Sequence, residues 1–452
     1  MNRRELFKNA ALAAALPQPA PAAASDRIGI GVIGCGAMGR LDLADFQKQP
    51  EAQIVAVCDV YQPNLKAALN LTDAKARTYS DFRKLLEDPA VDAVVVATPD
   101  HWHPLITVAA CQAGKDVYVE KPVSNVVREG RLMVEAARRH QRVVQVGLQQ
   151  RSGSHFQRAA QIVRSGQLGD IHYVQTWIHE TASPEGLGAP PDADPPAGLD
   201  YDMWLGPAPK VAFNETRFLG NWRSFSAYGG GRITDWGVHL MDVVHLAMGV
   251  DAPLAVTASG GKLYLRDRRD TPDTHEVTWE YPGFLAHYTC LHHNSCGHNG
   301  DAGHKPFGSY GIQFHGTLGT LFVDRAGYQV TPQMKTRAEP GGISFRAAFD
   351  DLTGISMYYE LAGAAGRGTT SAQHVPHVRN FLQCVKSREL PVADIEIGHR
   401  TTTACHLGNI ALRLGQKLYW DRQAERFTRN DEANRMLVRP YRAPWKLDGM
   451  QA

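Results

Sequence analysis

The sequence lacks the features that define several large classes of protein. None of its apolar runs reaches the roughly 18 residues of a membrane-spanning helix. Its seven cysteines, an odd number in 452 residues, do not form a disulfide framework, and buried free thiols are expected, although Cys290 and Cys296 are close enough in sequence to pair. The net charge is only +2, and residues 1–24 hold three basic residues and one acidic residue, so the remainder is neutral. Neither a nucleic acid nor a membrane surface is therefore an expected partner.

The N-terminal segment has the layout of an export signal. An arginine pair, Arg3 and Arg4, lies in a stretch that resembles a twin-arginine motif, and a short apolar run at Ala10–Leu16 follows it. Three alanines, 22–24, offer a small-residue cleavage site. Residues 1–24 are therefore predicted to be a signal peptide, and the mature protein is predicted to be periplasmic or otherwise exported. The alternative is a disordered, alanine-rich N-terminus in which the arginine pair arises by chance.

A glycine-rich loop follows the first apolar run of the chain. The run Ile28–Ile33 is typical of a buried parallel strand, and it leads into Gly34-Cys35-Gly36-Ala37-Met38-Gly39. This G-x-G-x-x-G pattern permits a tight turn, lets the backbone approach a pyrophosphate and lets the next helix lie close to the strand. A second apolar run, Ile54–Cys58, ends at Asp59, where an acidic residue is placed to bind ribose hydroxyls. The spacing predicts an NAD site.

The rest of the chain divides by pattern into two regions. Residues 25–150 alternate helix and strand, which predicts a doubly wound parallel sheet. In residues 151–452, strand-like runs such as His275–Tyr281 and Phe284–Leu291 follow one another without helices, which favours an antiparallel or mixed sheet of an α+β domain. The aromatic, proline-bearing tail 424–452 is expected to pack back on the body or on a partner subunit.

Two motifs follow neighbouring strands of the predicted parallel sheet. Thr98-Pro99-Asp100-His101-Trp102-His103 comes after the strand Asp92–Thr98, and Glu120-Lys121-Pro122 comes after Asp116–Glu120. Ligands of open α/β sheets bind at the carboxyl edge where such segments meet. Pro122 restricts the backbone around Lys121 and aims the lysine. Lys121 is therefore a candidate functional residue, with a merely solvated lysine as the alternative.

The glycine loop, the Thr98-Pro99 turn with His103 and the Glu120-Lys121-Pro122 triplet resemble the glucose–fructose oxidoreductase, inositol dehydrogenase and rhizopine-catabolism (Gfo/Idh/MocA) family. Residues 229–242, GGGRITDWGVHLMD, match the second-domain motif of that family. The resemblance covers nearly all of residues 26–447. It implies an N-terminal Rossmann domain, a C-terminal domain on a large, mostly antiparallel sheet, and NAD- or NADP-dependent chemistry on sugars or polyols. It also implies that Lys121 contacts the reacting hydroxyl and that His239 acts as acid or base.

The residues of the second motif support the same chemistry. On a helix, Asp235, His239 and Asp242 share a face. A carboxylate beside an imidazole fixes its tautomer and raises its basicity, and removal of a hydride from a secondary alcohol requires a base for the hydroxyl proton. Lys121 would stabilise the developing alkoxide. The predicted catalytic residues are therefore Lys121, His239 and Asp235, against the alternative of a buried structural histidine bonded to an aspartate.

The binding residues are predicted from their places at the sheet edge and in the second domain, where charged groups and aromatic platforms suit a sugar. The predicted cofactor-binding residues are Gly34, Gly36, Ala37, Met38, Gly39, Asp59, Thr98, Pro99, His101, Trp102, His103, Glu120, Lys121 and Gln149. The predicted substrate-binding residues are Arg151, His155, His179, Trp204, Arg217, Trp222, Arg223 and His239, with Tyr201 as a further candidate.

Several alternatives stay open at the level of sequence. The segment with His292, His293, Cys296, His298 and His304 allows a metal site, but no two pairs have strong zinc spacing, so a polar loop at the substrate cleft is favoured and no metal is predicted. The favoured function is an NAD-dependent carbohydrate oxidoreductase that forms a homo-oligomer and holds its cofactor tightly. The alternatives are an NAD-dependent glycoside hydrolase that oxidises its sugar transiently and a non-catalytic nucleotide-binding sensor.

Overall fold

The computed structural model describes residues 27–295, 309–335, 360–361, 366–369 and 372–450. The predicted signal peptide and the residues Cys296, His298 and His304 lie outside these ranges. Within them, no helix is both long and apolar enough to cross a membrane. The six cysteines of the described ranges are free and buried, Cys290 among them.

The first sheet is parallel throughout, with the strand order β3-β2-β1-β4-β5-β6. Its central strands are continuous apolar runs because helices cover both faces, and all four residues of Ala93–Val96 are buried. This is the predicted Rossmann arrangement. The strands are β1 (Ile28–Ile33), β2 (Ala52–Cys58), β3 (Arg77–Tyr79), β4 (Ala93–Val96), β5 (Asp116–Val119) and β6 (Val144–Val146), and the helices are α1 (Ala37–Gln47), α2 (Gln62–Leu71), α3 (Phe82–Leu86), α4 (His103–Gln112) and α5 (Val127–Arg139).

The second sheet has ten strands in the described ranges, in the order β16-β13-β12-β11-β7-β10-β9-β8-β17-β18. Its pairs are antiparallel except for β7 with β10, which are parallel. The prediction of a mostly antiparallel second sheet is therefore confirmed. The strands are β7 (Ile171–His179), β8 (Ala255–Gly261), β9 (Thr274–Tyr281), β10 (Phe284–Leu291), β11 (Tyr310–Gly316), β12 (Gly319–Asp324), β13 (Gly327–Pro332), β16 (Gly366–Thr369), β17 (Leu418–Asp421) and β18 (Arg426–Phe427), and a separate short ladder joins β14 (Met334–Lys335) to β15 (Glu360–Leu361).

Helices from the later part of the chain pack between and around the sheets. They are α6 (Ser154–Arg164), α7 (Tyr201–Leu205), α8 (Val238–Met248), α9 (His374–Ser387), α10 (Ile395–Leu414) and α11 (Asp431–Arg435). The helix α9 returns to the first sheet, where the ring of Phe381 meets Phe46 of α1 and Tyr118 of β5. The helix α10 packs on both α5 and β8. The two sheets are thereby held together, and the carboxyl edge of the parallel sheet faces the second domain.

The C-terminal tail lies across the body of its own chain. Arg439 donates to Glu129 of α5 at 2.6 Å and to the carbonyl of His101 at 3.1 Å. The ring of Trp445 meets Trp102 edge-on with centroids 4.8 Å apart. The tail therefore contacts the backbone segment that follows β4, beside the predicted site.

Candidate functional site

The glycine loop between β1 and α1 forms one wall of a cleft at the carboxyl edge of the parallel sheet. Gly34 has φ +87°, in the left-handed region that favours glycine. A Cβ at Gly39 would lie 1.9 Å from the carbonyl oxygen of Gly34, so the close approach of helix and strand requires glycine there. Among the described residues, a Cβ at Gly36 would meet no atom within 4 Å, and no side chain caps the start of α1. The free N–H groups of this helix N-terminus suit a pyrophosphate.

Asp59 follows β2 and lines the cleft at the carboxyl end of that strand. Its Oδ2 accepts a hydrogen bond from the backbone N–H of Cys35 at 2.7 Å, and its Oδ1 accepts one from Tyr61 at 2.8 Å. Burial raises the pKa of the Asp59 carboxyl, and these two backbone donors oppose the shift. Asp59 therefore supports the glycine loop as well as lining the cleft.

The cleft has a volume of about 460 Å³ and is lined by both domains. Trp204, Phe218, Trp222 and Arg223 of the second domain form the wall opposite the glycine loop. The predicted cofactor residues that line it are Gly34, Gly36, Ala37, Met38, Asp59, Thr98, Pro99, Trp102, His103, Glu120 and Lys121.

Three predicted cofactor residues do not line the cleft. Gly39 lies against Gly34 at the start of α1, and His101 and Gln149 lie behind residues that do line the cleft. His101 is buried, with its Nε2 at 3.2 Å from the carbonyl oxygen of Trp204 and its ring against Tyr228. Gln149 donates from Nε2 to Glu120 Oε1 at 2.7 Å and to the Tyr118 hydroxyl at 3.1 Å. His101 and Gln149 therefore support Trp204 and Glu120, which do line the cleft.

Lys121 lies at the inner end of the cleft and is bound to Asp235 of the second domain. Its Nζ donates to the Asp235 carbonyl at 2.8 Å and to Oδ1 at 2.9 Å, and the Lys121–Pro122 peptide bond is cis. Arg223 donates to Asp235 Oδ1 at 3.1 Å, and Arg232 donates to Oδ2 at 2.9 Å. Burial alone would raise the pKa of the Asp235 carboxyl, but the three cations hold it well below its ordinary value. Asp235 is therefore ionised and fixes the position of the lysine.

His239 lies on α8, in the first turn after the π-helical turn Ile233–Gly237. Its Nδ1 has no hydrogen-bond partner among the described residues. Burial lowers the pKa of His239 well below its ordinary value, and the charges of Lys121 and Arg325 lower it further. His239 is therefore a neutral imidazole. It lies near Lys121 and Asp235, whose charges act on its pKa, but it is not among the residues that line the cleft.

The expected pairing of His239 with a carboxylate is wrong. Asp235 is bound to Lys121 and the two arginines, and Asp242 accepts a hydrogen bond from Arg151 Nε at 2.6 Å. The π-helical turn changes the angular spacing between positions 235 and 239, so the assumption of a regular α-helix failed at this point. The pKa of His239 is lowered, not raised as the sequence argument expected.

Some of the predicted substrate residues line the cleft, and the others do not. Trp204, Trp222 and Arg223 line the cleft. Arg151 is bound to Asp242, His155 Nε2 lies 3.1 Å from the carbonyl of Asp324, and His179 is buried at the end of β7. Arg217 lies over the ring of Phe225, and Tyr201 stacks on Trp204. These five residues do not line the cleft, and neither does His239, the remaining predicted substrate residue.

Sequence reasoning missed several polar residues around His239. Gln150 Nε2 donates to the His239 carbonyl at 3.4 Å, and its Oε1 accepts from the Tyr310 hydroxyl at 2.6 Å. Arg325 donates to the same Oε1 at 3.2 Å. Arg232 could have been found, because it precedes Asp235 by three positions within the recognised motif. Tyr310 and Arg325 come from distant strands and carried no local signal.

The sequence predicts a polar loop, and no metal, for the histidine-rich segment. Within the described ranges, no three histidine, cysteine, aspartate or glutamate side chains gather as a metal site. His292 Nδ1 instead lies 2.8 Å from Arg269 Nη1, and its Nε2 lies 3.5 Å from Glu180. Cys296, His298 and His304 lie outside those ranges.

The carboxyl edge of the parallel sheet meets a buried lysine–aspartate pair, and a neutral histidine lies near that pair. This arrangement defines a two-domain, nucleotide-dependent oxidoreductase scaffold. Residues 28–148 match the family described as "Oxidoreductase family, NAD-binding Rossmann fold", and residues 185–263 and 368–447 match its "C-terminal alpha/beta domain". The chain belongs to the Gfo/Idh/MocA oxidoreductase family, and its N-terminal domain is an NAD-binding Rossmann domain.

Individual relatives are distant. The inositol 2-dehydrogenase of Salmonella paratyphi B is 28% identical over 167 residues, which is 35% of this chain and 48% of that enzyme, so the match spans about half the length of this relative. The WlbA dehydrogenase of Bordetella pertussis, solved with NADH and UDP-GlcNAcA, is similar over 87% of this chain and 99% of that one, with a TM-score of 0.62 and 19% identity. The aldose-aldose oxidoreductase of Caulobacter crescentus, solved with glycerol, has a TM-score of 0.62 and 18% identity over 87% and 99% of the two chains. At these identities the two structures show the fold.

Proposed function

We propose that the protein oxidises or reduces a hydroxyl-bearing carbon of a sugar, polyol or glycoside, with NAD as its cofactor. The observation that carries the proposal is Lys121, which lines the nucleotide cleft, is bound to Asp235 and lies near enough to the neutral His239 to affect its pKa. The names of the relatives, an inositol dehydrogenase and an aldose-aldose oxidoreductase, support this substrate class.

The residues of the cleft fit NAD. The open backbone at Gly36 and the uncapped start of α1 suit the pyrophosphate, and Asp59 faces the ribose position. When bound, NAD supplies a hydride acceptor at its nicotinamide ring. Lys121, held by Asp235, would stabilise a developing alkoxide with its ammonium group. His239, neutral and buried, would take the hydroxyl proton.

The cofactor preference gives the first test. Asp59 would repel a 2′-phosphate, and no arginine follows at positions 60–62, so NAD is expected to bind more tightly than NADP. Because Asp59 also holds the glycine loop, Asp59→Ala should weaken the binding of both nucleotides, that of NAD by about 10-fold or more. The dissociation constants of NAD and NADP should then lie closer together than in the wild type.

Calorimetric titration of both nucleotides into the wild type and the variant measures that ratio. Asp73→Ala, at an exposed aspartate of the same domain, is the matched control and should leave both constants unchanged. Tighter binding of NADP than of NAD by the wild type would contradict the assignment of Asp59.

We also propose that the protein is exported in the folded state and carries its nucleotide with it. The second domain walls the cleft, and its segment before α7 is fixed to the adenosine end, where Gln62 N–H donates to Gly198 at 2.9 Å and Asp200 N–H donates to Val60 at 3.0 Å. Such a wall would slow release of the nucleotide. A retained cofactor must return to its starting state in each cycle, through a second substrate or through re-reduction of the same sugar after glycoside elimination.

The purified mature protein is accordingly expected to contain NAD(H) and to turn over many times without added nucleotide. Mass spectrometry with a C–²H-labelled sugar distinguishes the two routes. Deuterium on a second sugar indicates oxidoreduction between substrates, and deuterium returned to the same product molecule indicates transient oxidation, as in glycoside cleavage. If turnover depends strictly on free NAD and releases one NADH per product, the cofactor is not retained and the protein is an ordinary dehydrogenase. An absence of any turnover with bound nucleotide would favour a sensor.

A further inference from the structure

A guanidinium group is held rigidly beside His239. Arg325, in the turn between β12 and β13, donates from Nε to Gln150 Oε1 at 3.2 Å. Its guanidinium carbon lies 4.7 Å from the ring centroid of Trp236 and 5.8 Å from that of Tyr310. Two aromatic rings and one hydrogen bond therefore fix both the place and the plane of the group.

Arg325 differs in charge balance from the other cations around the site. Lys121 and Arg223 share Asp235, and Arg232 is bound to both Asp235 and Glu180. Arg325 has no carboxylate within 4 Å among the described residues. Its positive charge is close enough to lower the pKa of His239. Lys121 and Arg223 also lie near Asp100 and Glu120. Arg325 is therefore a cation near His239 that has no carboxylate partner among the described residues.

Such an arrangement is better suited to a ligand than to the stability of the fold. The contact with Gln150 uses the Nε–H of the guanidinium, and the Tyr310 hydroxyl makes a second side-chain hydrogen bond with the group. A guanidinium has five N–H donors, so others are left for an oxyanion. Because the aromatic rings already hold the group in place, little side-chain freedom is lost when an anion binds. Gln150 links the guanidinium to the backbone carbonyl of His239. The Trp236 ring, 4.7 Å from the guanidinium carbon, has its centroid 6.2 Å from that of the His239 ring, so an anion bound to Arg325 would lie near His239.

We propose that Arg325 binds an anionic group of the substrate, so that the enzyme acts on an anionic sugar, a sugar acid or a sugar phosphate, in preference to a neutral one. The inference rests on the proposed oxidoreductase function, because it takes the space beside His239 as the substrate site. A guanidinium recognises carboxylate and phosphate by the same paired hydrogen bonds, and the two sources are separated by experiment.

The test measures binding separately from turnover. D-glucuronate, D-glucose 6-phosphate and D-glucose are titrated calorimetrically into the NAD-loaded protein, and oxidation is followed in parallel by absorbance. The variants are Arg325→Gln, which removes the charge, and Arg325→Lys, which keeps the charge and loses the planar fork. Arg367→Gln is the matched control, because Arg367 is an exposed arginine on the edge strand of the same sheet that contacts only Gln329 in the described structure.

The wild type is expected to bind at least one of the two anionic sugars more tightly than glucose. Arg325→Gln should bind that anion about 10-fold more weakly or worse, and Arg325→Lys should show a smaller loss of affinity. Arg367→Gln should bind it as tightly as the wild type does. Glucose binding should change little in any variant. Preference for glucuronate identifies a carboxylate, and preference for glucose 6-phosphate identifies a phosphate.

Equal binding of charged and neutral sugars by the wild type, or an equal loss of both in Arg325→Gln, overturns the inference. If Arg325→Gln does not fold, Arg325→Lys still decides, because loss of the fork should weaken the anion alone. Oxidation of sugars without regard to charge leaves the proposed function intact and removes only the inference. If an anion binds through Arg325 but no sugar is oxidised, the anion site stands and the proposed oxidoreductase function is wrong.

Discussion

Replacing Lys121 or His239 by alanine is expected to lower turnover by about 10²-fold or more in each case, the usual scale for electrostatic and acid–base groups. Lys121 presents its ammonium at the inner end of the cleft because Asp235 holds it with two contacts. His239 offers a neutral imidazole with a free Nδ1 among the described residues. Steady-state rates on the true substrate measure the effect.

Lys115→Ala is the matched control for the lysine. Lys115 also donates to backbone carbonyls, those of Asp88 and Val91, but at the opposite edge of the parallel sheet, and its loss should leave turnover unchanged. NAD should still bind to His239→Ala. Rates close to those of the wild type in both variants would disprove the assignment of the catalytic pair.

The pH dependence of the wild type follows from the same geometry. Burial and two neighbouring cations depress the pKa of His239, so the imidazole stays neutral well below the ordinary histidine value of 6.5. The loss of rate that comes from protonation of this base should therefore occur only below pH 6.5. Removing the charge of Lys121 should move that loss to higher pH.

Asp235→Ala is expected to destabilise the fold by about 3–5 kcal/mol, the cost of breaking a buried ion pair from one side. The buried carboxylate accepts hydrogen bonds from Lys121, Arg223 and Arg232, and without it three cations face one another. Urea unfolding of the nucleotide-free protein measures the change in the free energy of unfolding, and turnover should fall with it because Lys121 loses its anchor.

The control is Asp251→Ala. Asp251 also bridges two arginines, Arg400 and Arg422, but its side chain is 47% exposed, so the expected cost is only ~0–1 kcal/mol. The folded pKa of Asp235 is depressed below its ordinary value of 3.8, so its contribution to stability is fully present above about pH 4 and is lost as the pH falls further. Equal losses of stability in the two variants would refute the buried network.

The local parts of this fold could be predicted, because neighbouring residues determine them. The strand–glycine–helix unit at β1 and α1 follows from the turn geometry of Gly34, and β10 begins and ends where its alternating pattern does. The helix α10 begins at Ile395 because the Asp394 side chain caps it by accepting a hydrogen bond from the N–H of Glu396. The strand β3 was missed because it is only three residues long and mostly exposed.

The site could be predicted only in part, because its contacts join distant segments. Lys121 and Asp235 were both named from motifs, yet their salt bridge connects the two domains and has no signature in spacing. The π-helical turn before His239 broke the helical periodicity on which its expected partners depended. Arg325 enters from a strand turn whose position is set by the whole second sheet.

The return of α9 to the first sheet has a consequence for biosynthesis. Phe381 covers Phe46 and Tyr118, so part of the apolar face of the parallel sheet is closed only by a helix near the end of the chain. At ~5–20 residues per second, that helix leaves the ribosome roughly 10–50 s after the last strand it stabilises. Until then, the nascent chain has a nearly complete nucleotide domain, and part of its apolar surface is exposed to chaperones and to other chains. The sheet of the N-terminal domain is therefore covered only after a large part of the C-terminal domain has been translated, although the sequence places the N-terminal domain first.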